Sequence, residues 1–141
     1  MENVLIPVDG SEVSLRAVRF MIEQIGRGQP AALFVLYVQP PIVSGEVRMF
    51  VSQEAIAAYY RAEGEKALSK AKGLLDTAGV SYEACVEIGH IAETIARLAE
   101  EKRCHSIVLG GRGHGSVVGM LLGSITTKVL HLAKVPVTIV K

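Results

Sequence analysis

The sequence predicts an α/β fold: a single domain built on an open, parallel, five-stranded sheet with helices on both faces. Three observations support this. Short apolar stretches alternate with stretches of helical apolar spacing, in the order β-α-β-α-β-α-β-α-β. The stretch Ala32–Val38 is apolar throughout, which is typical of a strand covered on both faces. The chain has 141 residues, half of them hydrophobic, which suits one compact unit spanning residues 1–141.

The first half of the chain contains two predicted strands and two predicted helices. Val4–Val8 is a buried strand that ends in a turn at Asp9. The helix after it carries apolar residues at helical spacing, has Ser11 or Asp9 as its cap, and ends near Gly26. After the strand Ala32–Val38, the segment 39–51 reads as a surface loop. A long helix then covers Ser52–Ala78, with an apolar face weakened at Gly64; this face consists of Ile56, Tyr59, Tyr60, Ala67, Ala71, Leu74 and Leu75.

The second half continues the alternation. Val80–Ile88 has apolar residues at period two, which indicates a half-buried strand near an edge. A helix follows from Ile91 to the charged run 100–103. His105–Leu109 is the fourth strand, Ile125–Ala133 the last helix, and Val135–Val140 the last strand.

Ligands of such sheets bind beyond the carboxyl ends of the strands, where the strand order reverses. If the order is 3-2-1-4-5, strands one and four are neighbours at that reversal. Their ends are Asp9 and Gly110, so the two most unusual turns of the sequence would share one crevice.

Charge and cysteine content exclude several classes of partner. The chain has 15 basic and 14 acidic residues and no basic block, so nucleic acid and anionic membranes are not expected partners. Cys85 and Cys104 match neither a metal-ligand spacing nor a disulfide framework, which predicts buried free thiols in a reducing cytoplasm. The run 4–8 reaches Pro7 and Asp9 too soon for a signal peptide or a membrane helix.

The segment Leu109–Ile125, called here the glycine segment, holds six glycines between a strand and a helix. Gly110, Gly113 and Gly123-Ser124 form the pattern G-x2-G-x9-G-S. Glycines allow positive φ and open the backbone amides to a ligand, and the start of the next helix favours negative charge. The segment therefore predicts a phosphate site; the alternative is a loop that is merely flexible.

Two residues on other strands extend this prediction. A carboxylate at Asp9 could accept hydrogen bonds from ribose hydroxyls, although a helix cap or turn former is the alternative, and both roles are compatible. Val38 is expected in the core, with a backbone that could pair with an adenine edge.

The segments VLIPVDGSE, VEIGHIAETI, SIVLGGRGHG with GSITTKVL, and VPVTIVK together resemble the universal stress protein family over essentially the whole chain. The resemblance implies the strand order 3-2-1-4-5 and an ATP, ADP or AMP site. Asp9 would contact the ribose or adenosine, with Pro7, Val8 and Val38 around the adenine. The remaining implied site residues are Leu109, Gly110, Gly111, Arg112, Gly113, Gly123, Ser124 and Ile125 around ribose and phosphates, and His114, Gly115 and Ser116 near the distal phosphates.

The sequence departs from the family pattern at three places. His105 stands where Asp is common, but at the strand end away from the site. Gly111 replaces Ser or Thr, which removes one side-chain contact, and Tyr37 replaces a frequent His beside the base. The family also implies a homodimer paired through the last strand, Val135–Val140; a bare edge is the alternative.

Three functions remain open at this stage. The first is a stress-response regulatory protein that senses ATP or AMP and acts on a protein partner not identifiable from sequence. The second is a slow ATP hydrolase or phosphotransferase, for which Arg112, His114 and Lys128 are the only candidate groups near the loop. No second carboxylate is placed to hold a metal, so Mg²⁺ would be bound mainly by the phosphates. The third is a dimeric interaction module with a vestigial nucleotide site.

Overall fold

The strand order is β3-β2-β1-β4-β5 in the computed structural model, which describes residues 1–42, 44–111 and 123–141. All four strand pairs are parallel. This confirms the predicted sheet and its order. The strands are β1 (Glu2–Pro7), β2 (Ala31–Gln39), β3 (Tyr82–Ile88), β4 (Ser106–Gly110) and β5 (Val137–Val140).

Five helices are described: α1 (Glu12–Gly26), α2 (Gly45–Phe50), α3 (Gln53–Thr77), α4 (Ile91–Glu101) and α5 (Ser124–Leu132). Side chains of α1 and α3 form one core cluster with one face of the sheet, and side chains of α4 and α5 form a second cluster with the other. Strand β1 contributes Val4 and Ile6 to the first cluster and Leu5 to the second. Burial on both faces explains why the central strands are apolar at successive positions.

The region 39–51 differs from the prediction, because it contains the helix α2 instead of loop alone. The hydroxyl of Ser44 caps this helix by accepting a hydrogen bond from the Val47 amide at 3.4 Å. Six residues are too few to display helical periodicity, and none of them is buried. The other predicted strand and long-helix ends differ from the structure by at most two residues.

Strand β3 lies at the edge of the sheet, as predicted. Its apolar residues are less covered than the alternating pattern implies, since Val86 and Ile88 are 44% and 52% exposed.

Gly64 does not simply weaken α3. A Cβ at Gly64 would lie 3.2 Å from Val86 Cγ2, so the glycine lets the helix approach the strand closely. Tyr59, predicted on the apolar face of α3, is 48% exposed.

Both cysteines are free thiols, with Cys104 buried and Cys85 only partly buried. Burial raises the pKa of each thiol, which keeps it protonated and weakly nucleophilic. Within the described ranges, no helix is both long and apolar enough to cross a bilayer.

Candidate functional site

A cleft of about 500 Å³ opens at the carboxyl edge of the sheet, where β1 and β4 are neighbours and the strand order reverses. We call it the switch-point cleft. It brings Asp9 and Gly110 together, as the sequence predicted. The predicted site residues that line it are Pro7, Val8, Asp9, Val38, Leu109, Gly110, Gly123, Ser124 and Ile125.

Asp9 is held by the turn between β1 and α1. Its Oδ1 accepts a hydrogen bond from the Ser11 amide at 2.9 Å, and its own amide donates to Ser14 Oγ at 3.2 Å. Ser11 also caps α1 through its hydroxyl, which accepts from the Ser14 amide at 3.2 Å. The role of Asp9 as a turn former is therefore compatible with a role in ligand binding. One carboxylate oxygen orders the turn, and the residue remains exposed at the cleft.

The Asp9 carboxyl is ionised at neutral pH. Partial burial raises its pKa, but the hydrogen bonds from Ser11 and Ser14 together outweigh that effect, and the net pKa is lowered. An ionised carboxylate only accepts hydrogen bonds, so it suits a ligand that presents hydroxyl donors.

Gly110 is required by packing. A Cβ at this position would lie 1.8 Å from the carbonyl oxygen of Val13, inside the first turn of α1. Its φ is not positive, since the glycines with positive φ in the described ranges are Gly10, Gly28, Gly79 and Gly123. The glycine thus lets the end of β4 lie against the start of α1, at the back of the cleft.

Gly111 lies behind the cleft surface. It is buried, and its amide donates to the Val140 carbonyl at 2.7 Å, so this N–H is already used within the protein. Its carbonyl accepts a hydrogen bond from Arg16 Nη1, also at 2.7 Å. Gly111 is not among the described residues that line the switch-point cleft. It anchors the main chain where the glycine segment begins.

Gly123 closes the described part of the glycine segment. It has φ 83° and ψ 152°, a conformation that is essentially restricted to glycine, and it precedes the first residue of α5. The cap residue of this helix has no side chain, and Ser124, Ile125 and Thr126 at the helix start line the cleft. The predicted site residues Arg112, Gly113, His114, Gly115 and Ser116 lie outside the described residues.

Most of the apolar wall of the cleft was not predicted from the sequence. Pro40, with Ile91 and Ile95 of α4, lines the cleft beside Val38 and beside Tyr37, which the resemblance had placed near the base. The spacing of Ile91 and Ile95 gave no signal beyond core packing. Ser11, Val13, Ser14 and Thr126 complete the lining.

The wall at the end of β2 is fixed by Gln39, a polar residue that is only 7% exposed. Its Oε1 accepts from the Tyr37 hydroxyl at 2.9 Å, and its Nε2 donates to the Pro40 carbonyl at 3.0 Å. Burial, with the nearby Glu63, raises the pKa of Tyr37, so the hydroxyl remains a donor at neutral pH.

A second cavity of about 430 Å³ adjoins the cleft between α4 and α5. Ser124 and Ile125 line both spaces. Lys128 and Glu93 form an ion pair across the second cavity. In the described parts of the chain, no group of three or more His, Cys, Asp or Glu side chains is arranged to hold a metal ion.

A parallel, doubly wound sheet that has a cleft at its switch point, lined by both polar and apolar residues, is typical of α/β ligand-binding domains. Comparison with known proteins identifies the family within this class. The chain belongs to the universal stress protein family, whose sequence profile matches residues 1–141.

Individual relatives agree with this assignment over the full length. Universal stress protein MJ0531 of Methanocaldococcus jannaschii is 33% identical, with 99% of this chain and 82% of that protein covered. YxiE of Bacillus subtilis is 30% identical, with 99% and 98% covered. A universal stress protein solved as a crystal structure in complex with cAMP is 26% identical, with a TM-score of 0.70 and 99% and 97% of the two chains covered.

Proposed function

We propose that this protein binds an adenine nucleotide, ATP or AMP, in the switch-point cleft and acts as a nucleotide-dependent regulatory protein in the stress response. The single observation that supports this most strongly is the shared cleft: an ionised Asp9 at the end of β1 faces the two ends of the glycine segment. The complex of a related protein with cAMP supports the same class of ligand.

The base fits the apolar wall at the end of β2. The Val8 amide donates to the Leu36 carbonyl, so the main chain of Leu36 faces β1. The Gly89 amide donates to the Gln39 carbonyl, so Gln39 faces β3. Successive residues of a strand direct their main-chain N–H and C=O groups to opposite sides. Those of Val38 therefore point to the β1 side of β2, beyond the last residue of β1. This donor and acceptor pair matches the N1 acceptor and N6 donor of adenine.

The sugar and phosphates fit the other side of the cleft. Asp9 would accept hydrogen bonds from the ribose hydroxyls. The start of α5, whose cap residue Gly123 has no side chain, would offer its first amides and the Ser124 hydroxyl as donors to phosphate oxygens. Within this proposal Arg112, Gly113, His114, Gly115 and Ser116 extend the phosphate contacts, and Mg²⁺ binds chiefly through the phosphates.

A regulatory role is favoured over phosphoryl transfer. Efficient transfer requires positioned positive charge and a metal held by carboxylates. Lys128 is paired with Glu93, and the described residues contain no acidic cluster for a metal. A steady-state phosphate-release assay tests the alternative of slow hydrolysis: release above the buffer rate would establish it.

The regulatory proposal includes a homodimer that pairs through the last strand. Among the described strands, β5 bonds only β4, and no described strand pairs with its other edge. Nucleotide occupancy would then be read by a protein partner in the cytoplasm. The third alternative, an interaction module with a vestigial site, requires the dimer but no nucleotide binding.

Isothermal titration of the purified protein with ATP, AMP, cAMP and GTP tests the proposal. We expect adenine ligands to bind and GTP to bind more weakly, because guanine reverses the donor and acceptor facing Val38. Asp9→Asn should weaken AMP binding by about tenfold, the loss of one hydrogen bond involving a charge. Asp76→Asn is the matched control, since Asp76 bonds Tyr82 outside the cleft. Absence of binding at millimolar nucleotide would exclude the proposal and leave the vestigial alternative.

A further inference from the structure

Gln39 is one of two buried polar residues in the described part of the chain. It is not among the residues that line the switch-point cleft, although its sequence neighbours Tyr37, Val38 and Pro40 line it. Both ends of its side-chain amide are paired: Oε1 accepts from the Tyr37 hydroxyl at 2.9 Å, and Nε2 donates to the Pro40 carbonyl at 3.0 Å. A buried polar side chain thus lies behind the wall of the cleft and bonds two residues of that wall.

The direction of each of these hydrogen bonds is determined by the Pro40 carbonyl. A carbonyl oxygen only accepts, so the nitrogen of the Gln39 amide must face Pro40 and its oxygen must face Tyr37. The amide oxygen also only accepts, so the Tyr37 hydroxyl must donate its proton to Gln39. Burial, with the nearby Glu63, raises the pKa of Tyr37, so this proton is present at neutral pH.

The Tyr37 hydroxyl therefore differs from a free one. A free hydroxyl rotates and either donates to a ligand or accepts from it. The proton of Tyr37 is used within the protein, so toward a ligand in the cleft its oxygen can act only as an acceptor.

We propose that Gln39 makes Tyr37 a specificity-determining residue of the base site, whose oxygen accepts a hydrogen bond from the exocyclic amino group of adenine and disfavours an oxo purine. This inference rests on the proposed function. The N6 amino group carries two hydrogens. The Val38 carbonyl would take one of them, and the Tyr37 oxygen would take the other.

The selectivity comes from a fixed acceptor. In hypoxanthine and guanine an O6 acceptor replaces the amino group, so two acceptors would meet at Tyr37. A hydroxyl that could rotate would relieve this conflict by donating to O6. The bond to Gln39 removes that freedom, and an unrelieved conflict between polar groups discriminates against the wrong ligand.

The test is the ratio of AMP to inosine monophosphate (IMP) affinity, because the two ligands share the sugar and the phosphate. Isothermal titration compares wild type with Gln39→Met. We expect the ratio to fall about fivefold, the value of one neutral hydrogen bond. IMP should bind more tightly, since the released hydroxyl can donate to O6, and AMP should change less than twofold. Gln29→Met is the matched control, since Gln29 is exposed between α1 and β2, at the opposite edge of the sheet.

A second variant removes the acceptor itself. Tyr37→Phe keeps the ring in the wall, and it should weaken AMP about fivefold with a smaller effect on IMP. The double variant with Gln39→Met should have the same ratio as Tyr37→Phe alone, because Gln39 affects the ratio only through the hydroxyl. Two residues that each merely supported the wall would weaken both nucleotides alike.

The inference is overturned if Gln39→Met or Tyr37→Phe leaves the AMP to IMP ratio of wild type unchanged. It is also overturned if the effects of the two changes on the ratio add in the double variant. If Gln39→Met does not fold, Tyr37→Phe alone decides. Failure of wild type to bind AMP would instead refute the proposed function, so the two failures are distinguishable.

Discussion

The carbonyl oxygen of Val13 occupies the space that a side chain at Gly110 would need. A Cβ built on Gly110 lies 1.8 Å from this oxygen and 2.7 Å from the carbonyl carbon. Both neighbours are backbone atoms of α1, so neither can rotate away. The contact joins Gly110, the last residue of β4, to the first turn of α1. Gly110 and Val13 both line the switch-point cleft.

Gly110→Ala is accordingly expected to destabilise the fold. Helix α1 or strand β4 must shift to admit the methyl group, and such overpacking costs about 1–3 kcal/mol of unfolding free energy. Urea denaturation followed by circular dichroism measures the change. Gly73→Ala is the matched control: Gly73 lies inside α3, where no described atom outside the nearby helix backbone is within 4 Å of its built Cβ, so alanine should stabilise the protein by about 0.5–1 kcal/mol. Equal urea midpoints for wild type and Gly110→Ala would contradict the expectation that a side chain at position 110 collides with Val13.

Gly123 differs from Gly110, because its backbone conformation is what requires glycine. Among the described residues, no atom lies within 4 Å of its built Cβ, whereas its φ is 83°. Gly123→Ala should cost about 1–3 kcal/mol through strain at the start of α5. If the proposed function is correct, it should also weaken ATP binding, since α5 would present its first amides differently.

The control for this change is Gly45→Ala, at the first residue of α2, where φ is not positive and no atom in the described part of the chain lies within 4 Å of a built Cβ. That variant should keep the thermal midpoint of wild type within the error of differential scanning calorimetry. A Gly123→Ala protein as stable as Gly45→Ala would show that α5 relaxes without cost.

The elements that the sequence predicted well are those in which a local pattern and the final environment agree. Ala32–Val38 is uniformly apolar because both faces of β2 are covered, and this placed it inside a parallel sheet. Asp9 and Gly110 were predicted to meet because both follow buried strands, and in a parallel sheet all such ends lie on one edge.

The features that escaped prediction depend on contacts between distant segments. Ile91 and Ile95 have the spacing of any buried helix face, and only the packing of α4 beside the end of β2 turns them toward the cleft. The bond from Arg16 to the Gly111 carbonyl has no sequence motif, since the two residues are 95 positions apart. The steric reason for a glycine at position 110 was also not predictable. The sequence pattern suggests that glycine opens the backbone amides to a ligand, whereas the structure shows that the Val13 carbonyl leaves no room for a side chain.

The lowered pKa of Asp9 predicts a specific dependence of stability on pH. Because the folded pKa lies below the unfolded value, near 3.8, the ionised carboxylate stabilises the fold above that pH. This contribution is lost as the pH falls below about 3.8 and through the folded pKa. Asp9→Asn keeps an oxygen for the Ser11 amide but removes the charge, so it should lower the unfolding free energy at pH 7 and have progressively less effect toward pH 3.

Urea titrations of both proteins between pH 3 and pH 7 measure this difference. Glu46→Gln serves as the control, because it removes an exposed carboxylate that lies in α2, away from the Asp9 turn. A difference between Asp9→Asn and wild type that persists unchanged at the acid end would show that the charge is not what stabilises the turn.

The proposed dimer predicts that a charge on the outer edge of β5 will produce monomers. The carbonyls of Pro136 and Val140 accept from β4 and the start of the glycine segment, so the main chains of Val137 and Ile139 face outward, where a second copy would pair. Thr138 is exposed between them, and Thr138→Lys places an ammonium group on that edge, a change that opposes strand pairing. Analytical ultracentrifugation should give a dimer for wild type and for the control Ser69→Lys on the exposed surface of α3, and a monomer for Thr138→Lys. A dimer that tolerates Thr138→Lys would place the interface away from the last strand.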